Sequence, residues 1–432
     1  MRYYSTNRRS QPVGLRDAVI ECMASDGGLY LPERLPCFPH AFIDNMAAMS
    51  LREIAYVVTD MFMAGDVASE TLKTIVDETL SFDVPFKEIA PGRYVLELFH
   101  GPTMAFKDIG VRFMARLLSS MDKKNGVTLK VFVATSGNTG AAVASGFSDI
   151  DNIEVYILYP KGGLSVMAEK QIASAADNIV PIEVAGNIDQ CRSMVSTVLS
   201  DVKMREHFLM TSANSLNIAR LMPQVSLFYY AASRLIAAGI NPSEVDFAIP
   251  SGNLSLVTAG AMAVLSGLKT GRLIAACNAN NATDRYLRAS DMSRHPIIRT
   301  IAPCMDTVFP SNLPRLQALF ADDIDRLRSV IDSVTIGDDM IKASMLKALG
   351  EGYLADPHTS FGLSALDCRV DRQRPGLVFA TAHPAKSADT IYSITSQKVE
   401  AARLLKNFHP RRLPEKMAPT FPALRKFLLR DK

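Results

Sequence analysis

Apolar runs alternate with amphipathic stretches along most of the chain after residue 95. Continuous apolar runs of strand length predict buried strands, and apolar residues three and four positions apart predict helices. A first series has predicted strands at 128–134, 153–158, 179–184 and 208–210, separated by helical patterns at 139–147, 168–176 and 190–199. Strands that alternate with helices in this way indicate a parallel sheet with crossover connections.

A second series begins with a long apolar helix over 219–238. Predicted strands follow it at 245–249, 273–276 and 377–381, and a separate strand is predicted at Val95–Leu98. Before residue 95 the pattern is mainly helical, with helical spacing at 51–62 and 68–80. We therefore predict a mainly helical N-terminal region over 1–95 and two domains, over 96–220 and 221–432.

The predicted fold class is α/β, with two parallel-sheet domains and a ligand cleft between them. Ligands of such sheets bind outside the carboxyl ends of the strands. Two loops that follow predicted strands, and Thr381 at the end of the last one, occupy such positions.

Composition narrows the classes of function. The 432 residues are 48% hydrophobic and 21% charged, with 47 basic and 44 acidic side chains. This balance gives no basic surface for nucleic acid. No apolar run approaches the roughly 18 residues that span a bilayer, and no secretory signal is visible. The six cysteines are scattered, which favours free thiols in the cytoplasm, and no metal-ligand spacing occurs.

Lys107 is the strongest candidate for chemistry. It follows the turn-rich segment 98–106 and precedes the helical pattern at 111–118, beside Phe106. An apolar neighbour and the positive end of a helix dipole both favour a neutral amine, which a Schiff-base lysine needs. The alternative is an ordinary surface lysine at the start of a helix.

Two strand–loop–helix units accompany this lysine. Residues 131–140 end an apolar run in Thr-Ser-Gly-Asn-Thr-Gly, and residues 245–260 pass through Pro-Ser-Gly-Asn. Backbone N–H groups at such loops and at the following helix start can bind anions. Either loop alone is a common feature of α/β proteins.

Motifs spread along the whole chain carry a more specific signal. They are Ser25-Asp-Gly-Gly-Leu-Tyr-Leu-Pro-Glu33, His100-Gly-Pro-Thr-Met-Ala-Phe-Lys-Asp108, Thr135-Ser-Gly-Asn-Thr-Gly140, Thr211-Ser-Ala-Asn-Ser-Leu-Asn-Ile-Ala-Arg220, Asp356-Pro-His-Thr359 and Thr381-Ala-His-Pro-Ala-Lys386. In these segments the chain resembles the threonine synthases, pyridoxal-phosphate (PLP) enzymes with the tryptophan-synthase-β-like fold.

The resemblance implies conversion of O-phospho-L-homoserine and water to L-threonine and phosphate, by γ-elimination and β-addition. Lys107 would hold PLP and move protons. The other cofactor-binding residues implied are Phe106, Asn138, Gly252, Asn253, Leu254, Ser255, Leu256 and Thr381. The substrate-binding residues implied are Ser136, Thr139, Lys161, Asn214, Ser215, Asn217 and Arg220. A monomer or a homodimer is expected.

Each assignment has a structural alternative. The Ser136–Thr139 loop could be an ordinary helix cap. Arg220 and Lys161 could pair with carboxylates. His383 and His358 are more simply hydrogen-bonded structural residues than catalytic ones.

The chain also departs from the family pattern, and the departures leave two other functions open. Ser255 replaces a glycine and Leu256 a polar residue in the second loop, and Ala168 stands where relatives carry glutamine. A positive φ at position 255 would strain serine by roughly 1–2 kcal/mol. One alternative is a related PLP enzyme that eliminates or replaces a β-substituent of another amino acid. The other is a weakly active PLP-binding homologue.

Overall fold

The computed structural model describes residues 1–121, 127–369, 374–400 and 408–430. The chain forms two compact units. The first, called here the six-stranded unit, contains Met1 and the ranges 31–106 and 221–401. The second, the five-stranded unit, contains 2–30, 107–220 and 402–432. Each unit is therefore assembled from segments that are distant in the sequence.

The helices are distributed over both units. They are α1 (Leu15–Glu21), α2 (His40–Asn45), α3 (Leu51–Met63), α4 (Ser69–Thr79), α5 (Lys107–Met121), α6 (Asn138–Phe147), α7 (Val166–Ala173), α8 (Ile188–Ser200), α9 (Val202–His207), α10 (Ile218–Ala237), α11 (Ser255–Leu265), α12 (Ala282–Ala289), α13 (Leu313–Leu319), α14 (Ile324–Val330), α15 (Asp338–Gly350), α16 (Pro357–Asp367), α17 (Ala388–Thr395) and α18 (Phe421–Leu428). Short 3-10 helices lie at Met46–Ala48, Pro242–Glu244, Pro303–Met305 and Pro384–Ser387.

The strands are mostly short. They are β1 (Arg2–Ser5), β2 (Val13–Gly14), β3 (Tyr30–Pro32), β4 (Phe86–Ala90), β5 (Arg93–Glu97), β6 (Leu129–Ala134), β7 (Ile153–Pro160), β8 (Ile179–Val184), β9 (Leu209–Ser212), β10 (Asp246–Pro250), β11 (Leu273–Cys277), β12 (Ile331–Thr335), β13 (Gly376–Ala380) and β14 (Glu415–Met417).

The six-stranded sheet has the order β12-β11-β10-β13-β5-β4. All its neighbouring strands are parallel except the antiparallel edge pair β4–β5. Its central strands β10, β11 and β13 are fully buried, because helices cover both faces of a parallel sheet. Helices α15, α16 and α17 contribute to a hydrophobic core that includes Ile341, Phe361 and Ile391.

The five-stranded sheet is entirely parallel and has the order β14-β8-β7-β6-β9. Its core contains Phe132, Leu158 and Ile182 from the strands, with Val198 from α8 and Leu424 from α18. The two parallel sheets and their crossover helices confirm the predicted fold class.

The N-terminal region is mainly helical, as predicted, with α3 and α4 at the two predicted positions. Ser50 begins α3 through a capping box, in which its side chain accepts from Glu53 N–H and the Glu53 carboxylate accepts from Ser50 N–H. The region also contains short strands that the pattern did not predict, such as the antiparallel pair β1 and β2.

Within the described ranges, none of the helices is both long enough and apolar enough to cross a membrane.

Candidate active site

Lys107 is the first residue of α5 and is partly exposed. The segment before it is fixed along the end of β13. Leu98 N–H donates to Ala380 O at 2.9 Å, His383 N–H donates to Met104 O at 3.1 Å, and Phe106 N–H donates to Thr381 O at 2.9 Å. The backbone at Lys107 is therefore fixed through the preceding residue, Phe106, which is hydrogen-bonded to Thr381.

The Ser136–Thr139 loop connects β6 to α6. Gly137 has φ +143°, a conformation that L side chains rarely adopt, and Asn138 is the first residue of the helix. The buried Thr135 hydroxyl accepts from Gly137 N–H at 3.0 Å and from Gly140 N–H at 2.9 Å. Thr135 thus fixes the loop on its inner side, while Ser136 is exposed.

Asn214 is brought to this loop from 80 residues further along the chain. Its Oδ1 accepts from Ala134 N–H at 3.1 Å, and its Nδ2 donates to Ala134 O at 2.9 Å. Both polar atoms of the Asn214 amide bind the last residue of β6. The structure therefore places Asn214 where it supports the Ser136–Thr139 loop.

The second loop, Gly252–Leu256, connects β10 to α11. Its left-handed residue is Leu254, with φ +62° and ψ +11°, and Ser255 begins the helix. The loop does not need a positive φ at position 255, because the left-handed turn lies one residue earlier, so the strain considered for serine there does not arise. Asn253 Oδ1 accepts from Ser255 N–H at 3.0 Å.

Residues 303–315 support this loop, and sequence reasoning missed them. A Cβ atom on Gly252 would lie 3.0 Å from both the Cα and the carbonyl oxygen of Met305, so a larger residue would be crowded against backbone. Asn312 donates from its backbone N–H and its Nδ2 to Asn253 O, at 3.1 and 3.0 Å. Fully buried Arg315 donates to Asn312 Oδ1 at 2.7 Å. The Pro310-Ser-Asn-Leu-Pro-Arg315 run was the available sequence signal.

Ser255 carries a buried polar atom that suits an anion. Its side chain is 2% exposed, and within the described residues its Oγ has no hydrogen-bond partner. It lies at the N-terminus of the 11-residue helix α11, where backbone N–H groups and the helix dipole favour negative charge. Leu256 is also buried there, in the apolar interior.

The remaining predicted residues lie in different surroundings. Lys161 follows β7 and is exposed, and Ser215 is buried. Asn217 is fully buried, with its Nδ2 donating to Val19 O at 2.8 Å and its Oδ1 accepting from Ala219 N–H at 3.0 Å. Arg220 is 1% exposed and donates to Ala213 O at 2.6 Å; burial lowers its pKa to about 10.

The two histidines make structural hydrogen bonds. His383 Nδ1 accepts from Ala385 N–H at 3.0 Å and so begins a short 3-10 helix. Burial lowers the pKa of His383, and nearby His100 adds to the effect. His358 lies in α16 and binds Asp356 through Nδ1.

Comparison with known proteins identifies the family. The "Threonine synthase N terminus" model matches residues 2–80, and the "Pyridoxal-phosphate dependent enzyme" model matches residues 90–381. The threonine synthase of Serratia marcescens is 32% identical over 430 residues, which cover 99% of each chain. The chain belongs to the threonine synthase family of PLP-dependent enzymes.

Solved structures of this family agree with the fold. The Escherichia coli threonine synthase superposes with a TM-score of 0.92 at 30% identity, with all of both chains covered. The PLP-bound threonine synthase of Brucella melitensis gives a TM-score of 0.90 at 28% identity, over 99% of this chain and 98% of that one.

The cofactor of the threonine synthase family fits the residues of this chain. PLP carries a phosphate, and the unpartnered Ser255 hydroxyl at the start of α11 is a donor that such a group would accept from. The glycine at position 252 keeps the backbone of the same loop open to close approach.

Proposed function

We propose that this protein converts O-phospho-L-homoserine and water to L-threonine and phosphate. Family membership over the full length of the chain supports this assignment. The observation that carries it is Lys107 at the first position of α5, with its preceding residue bonded to Thr381. The proposed setting is cytoplasmic, with a small-molecule substrate and a monomer or homodimer as the working unit.

PLP, when bound, supplies an electron sink for the bond-breaking steps at the substrate carbons. Lys107 would hold the cofactor through its Nζ. The same amine, when free, would take and return protons at the α- and β-carbons, since one positioned base can serve neighbouring atoms.

Three further groups orient the cofactor. The Ser255 hydroxyl and the N–H groups of the Gly252–Leu256 loop receive its phosphate. Asn138 would donate to its phenolic oxygen. Thr381 would offer a neutral hydroxyl to its ring nitrogen, which would leave that nitrogen largely unprotonated.

The substrate has two anionic groups to bind. Its carboxylate is bound by backbone N–H groups and hydroxyls of Ser136 and Thr139, at the start of α6. Its phosphate is bound by exposed Lys161 and by Ser215, which lies in a loop. Asn214, Asn217 and Arg220 hold the surrounding backbone, since the polar atoms described above bind main-chain groups.

The deciding experiment measures threonine and phosphate together. Purified protein loaded with PLP is given O-phospho-L-homoserine, beside the variants Lys107→Ala and Lys73→Ala. Lys73 is an exposed lysine on α4 and serves as the matched control. We expect equal amounts of threonine and phosphate from the wild type and from Lys73→Ala, and neither product from Lys107→Ala.

Other outcomes separate the alternatives. Release of ammonia with pyruvate or 2-oxobutyrate from other amino acids would indicate a related eliminating or replacing enzyme. Ala168, a departure from the family pattern, lies beside the Ser136–Thr139 loop, with its Cβ 3.8 Å from the position of a Cβ on Gly137. Full cofactor binding without any turnover would indicate a PLP-binding homologue.

A further inference from the structure

Cys304 lies in a fixed turn on the surface of the six-stranded unit. It is the central residue of the 3-10 helix Pro303–Met305, and its side chain is exposed. The turn is held by Met305 N–H donating to Ala302 O at 3.1 Å and by Asp306 N–H donating to Pro303 O at 3.2 Å. Cys304 is therefore an exposed residue on a backbone with a defined conformation.

A buried acid–imidazole pair lies next to this thiol. His358 is 2% exposed and Asp356 is fully buried, and His358 Nδ1 lies 2.6 Å from Asp356 Oδ2. Asp356 is fixed in turn, because its Oδ1 accepts from Thr359 N–H at 2.9 Å and from the Thr359 hydroxyl at 2.6 Å. The orientation of the imidazole ring is thus determined by the start of α16.

The second ring nitrogen of His358 is the one available to Cys304. His358 Nε2 is buried and makes no hydrogen bond of normal geometry to any residue that the structure describes. His358 lies near enough to Cys304 for its positive charge to favour the thiolate. Aspartate, histidine and cysteine therefore form a chain of interacting groups that ends at the Cys304 thiol.

The charges in this cluster favour a thiolate. Burial opposes a charge on His358, but the Asp356 carboxylate outweighs it and raises the pKa of His358 to about 10. Desolvation also raises the pKa of Cys304, but His358 and then Lys386 outweigh it and hold that pKa below its usual value. The negative charge of Asp356 opposes this shift in the pKa of Cys304.

We propose that Cys304 is a reactive nucleophilic site, activated by the His358–Asp356 pair, that takes hydroperoxides and other small soft electrophiles. This property goes beyond the proposed function and does not depend on it. A thiolate, rather than a thiol, is the nucleophile in such reactions, and an adjacent imidazolium is a common way to produce one.

The reaction with a hydroperoxide balances within this cluster. The Cys304 sulfur attacks one peroxide oxygen, so that an S–O bond forms and the O–O bond breaks. Sulfur is oxidised by two electrons to a sulfenic acid, and the peroxide is reduced. The His358 imidazolium gives its Nε2 proton to the departing oxygen, which leaves as water or an alcohol, and the ring becomes neutral.

Chemical modification of Cys304 would disturb the Gly252–Leu256 loop, because the next residue contacts that loop. Met305 follows Cys304, and its Cα and carbonyl oxygen bound the space at Gly252. Under the function proposed above, an oxidised or alkylated Cys304 would displace this contact and weaken PLP binding.

The test measures reaction at each cysteine separately. The holoenzyme is treated at pH 6 with iodoacetamide, and in parallel with hydrogen peroxide followed by a sulfenic-acid probe. Labelled peptides are then quantified by mass spectrometry over time. Exposed Cys37 is the comparison within the same chain. We expect Cys304 to react at least about tenfold faster than Cys37 with each reagent, because thiolate fraction governs the rate at this pH.

Two variants assign the cause. His358→Gln removes the imidazolium and should bring the Cys304 rate down to that of Cys37, whereas Cys304→Ser should abolish the fast-labelled peptide and leave Cys37 unchanged. Equal rates at the two cysteines of the wild type would overturn the proposal without any variant. A fast Cys304 that is unaffected in folded His358→Gln would also overturn it. Neither readout requires turnover of O-phospho-L-homoserine.

Discussion

Ser255 combines two properties that rarely occur together: its hydroxyl is buried, and it has no partner within the described part of the chain. Removal of this hydroxyl should relieve a desolvation cost in the free protein, so Ser255→Ala should keep or raise its free energy of unfolding. The same change should weaken PLP binding by about 1.5–3 kcal/mol, the usual worth of a hydrogen bond to a charged group. Denaturant unfolding without PLP and a PLP titration measure the two effects.

Ser251 provides the matched control on the same loop. Its buried hydroxyl donates to Ile249 O at 2.7 Å, so Ser251→Ala should lower the free energy of unfolding by about 1 kcal/mol. Equal PLP affinity in wild type and Ser255→Ala would contradict a phosphate-binding role for Ser255.

The Asp356–His358 pair predicts a pH dependence of stability. The folded pKa of His358 is raised to about 10 from an ordinary 6.5, so its contribution is complete below about pH 6.5 and is lost as the pH rises towards 10. The pKa of Asp356 is lowered from 3.8, so its contribution is present above that pH and is lost on further acidification. Unfolding free energies of wild type and His358→Gln should therefore converge between pH 7 and 10. A constant difference over that range would contradict the coupling.

At the scale of elements, the turn between β10 and α11 depends on close packing against the 303–305 turn. Gly252→Ala would place a Cβ 3.0 Å from two backbone atoms of Met305, which cannot rotate away. Overpacking of this kind costs about 1–3 kcal/mol, and displacement of the loop to relieve it should lower PLP affinity by up to roughly 5- to 150-fold. Gly337→Ala is the control, since no atom lies within 4 Å of its added Cβ and its φ is negative. Affinity should be lost only in the first variant.

Prediction of the elements from the pattern succeeded where strands are buried on both faces. The predicted strand 179–184 is identical to β8, and the one at 273–276 differs from β11 by one residue. In the six-stranded and five-stranded sheets, the missed strands are at the edges. β12 reads Ile-Asp-Ser-Val-Thr and β14 reads Glu-Lys-Met, and both are largely half-buried, so their polar residues are tolerated and the apolar signal disappears.

The candidate site was also predictable only in part: its loops were found, and most of the residues that hold them were missed. Its loops are contiguous motifs, and these were found. The residues that hold the loops, such as Thr135, Asn312 and Arg315, act through hydrogen bonds to main-chain atoms. Any polar side chain of suitable length can make such bonds, and Asn312 lies 59 residues from Asn253. The 310–315 run marks a turn, but it does not show which loop the turn supports.

At the scale of the whole molecule, bound cofactor should appear as added stability. A ligand that binds only the folded state stabilises it by about 2.7 kcal/mol at a hundredfold excess over Kd. Calorimetry should show a higher unfolding temperature with PLP and a smaller increase with pyridoxal, which lacks the phosphate. In Lys107→Ala the increase with PLP should also be smaller, because the covalent attachment is lost. Equal increases with PLP and pyridoxal would contradict phosphate binding by the Gly252–Leu256 loop.

Strand β14 has a consequence for synthesis on the ribosome. It pairs in parallel with β8, although Glu415 is translated about 230 residues after Val184, and α18 with Leu424 and Leu428 follows it into the same core. At a translation rate of about 5–20 residues per second, the outer edge of β8 stays unpaired for roughly 10–45 s before β14 is made. Throughout that interval the nascent chain presents an open apolar edge, so holdase chaperones should bind the ribosome-attached intermediate and release it once the last strand has been translated.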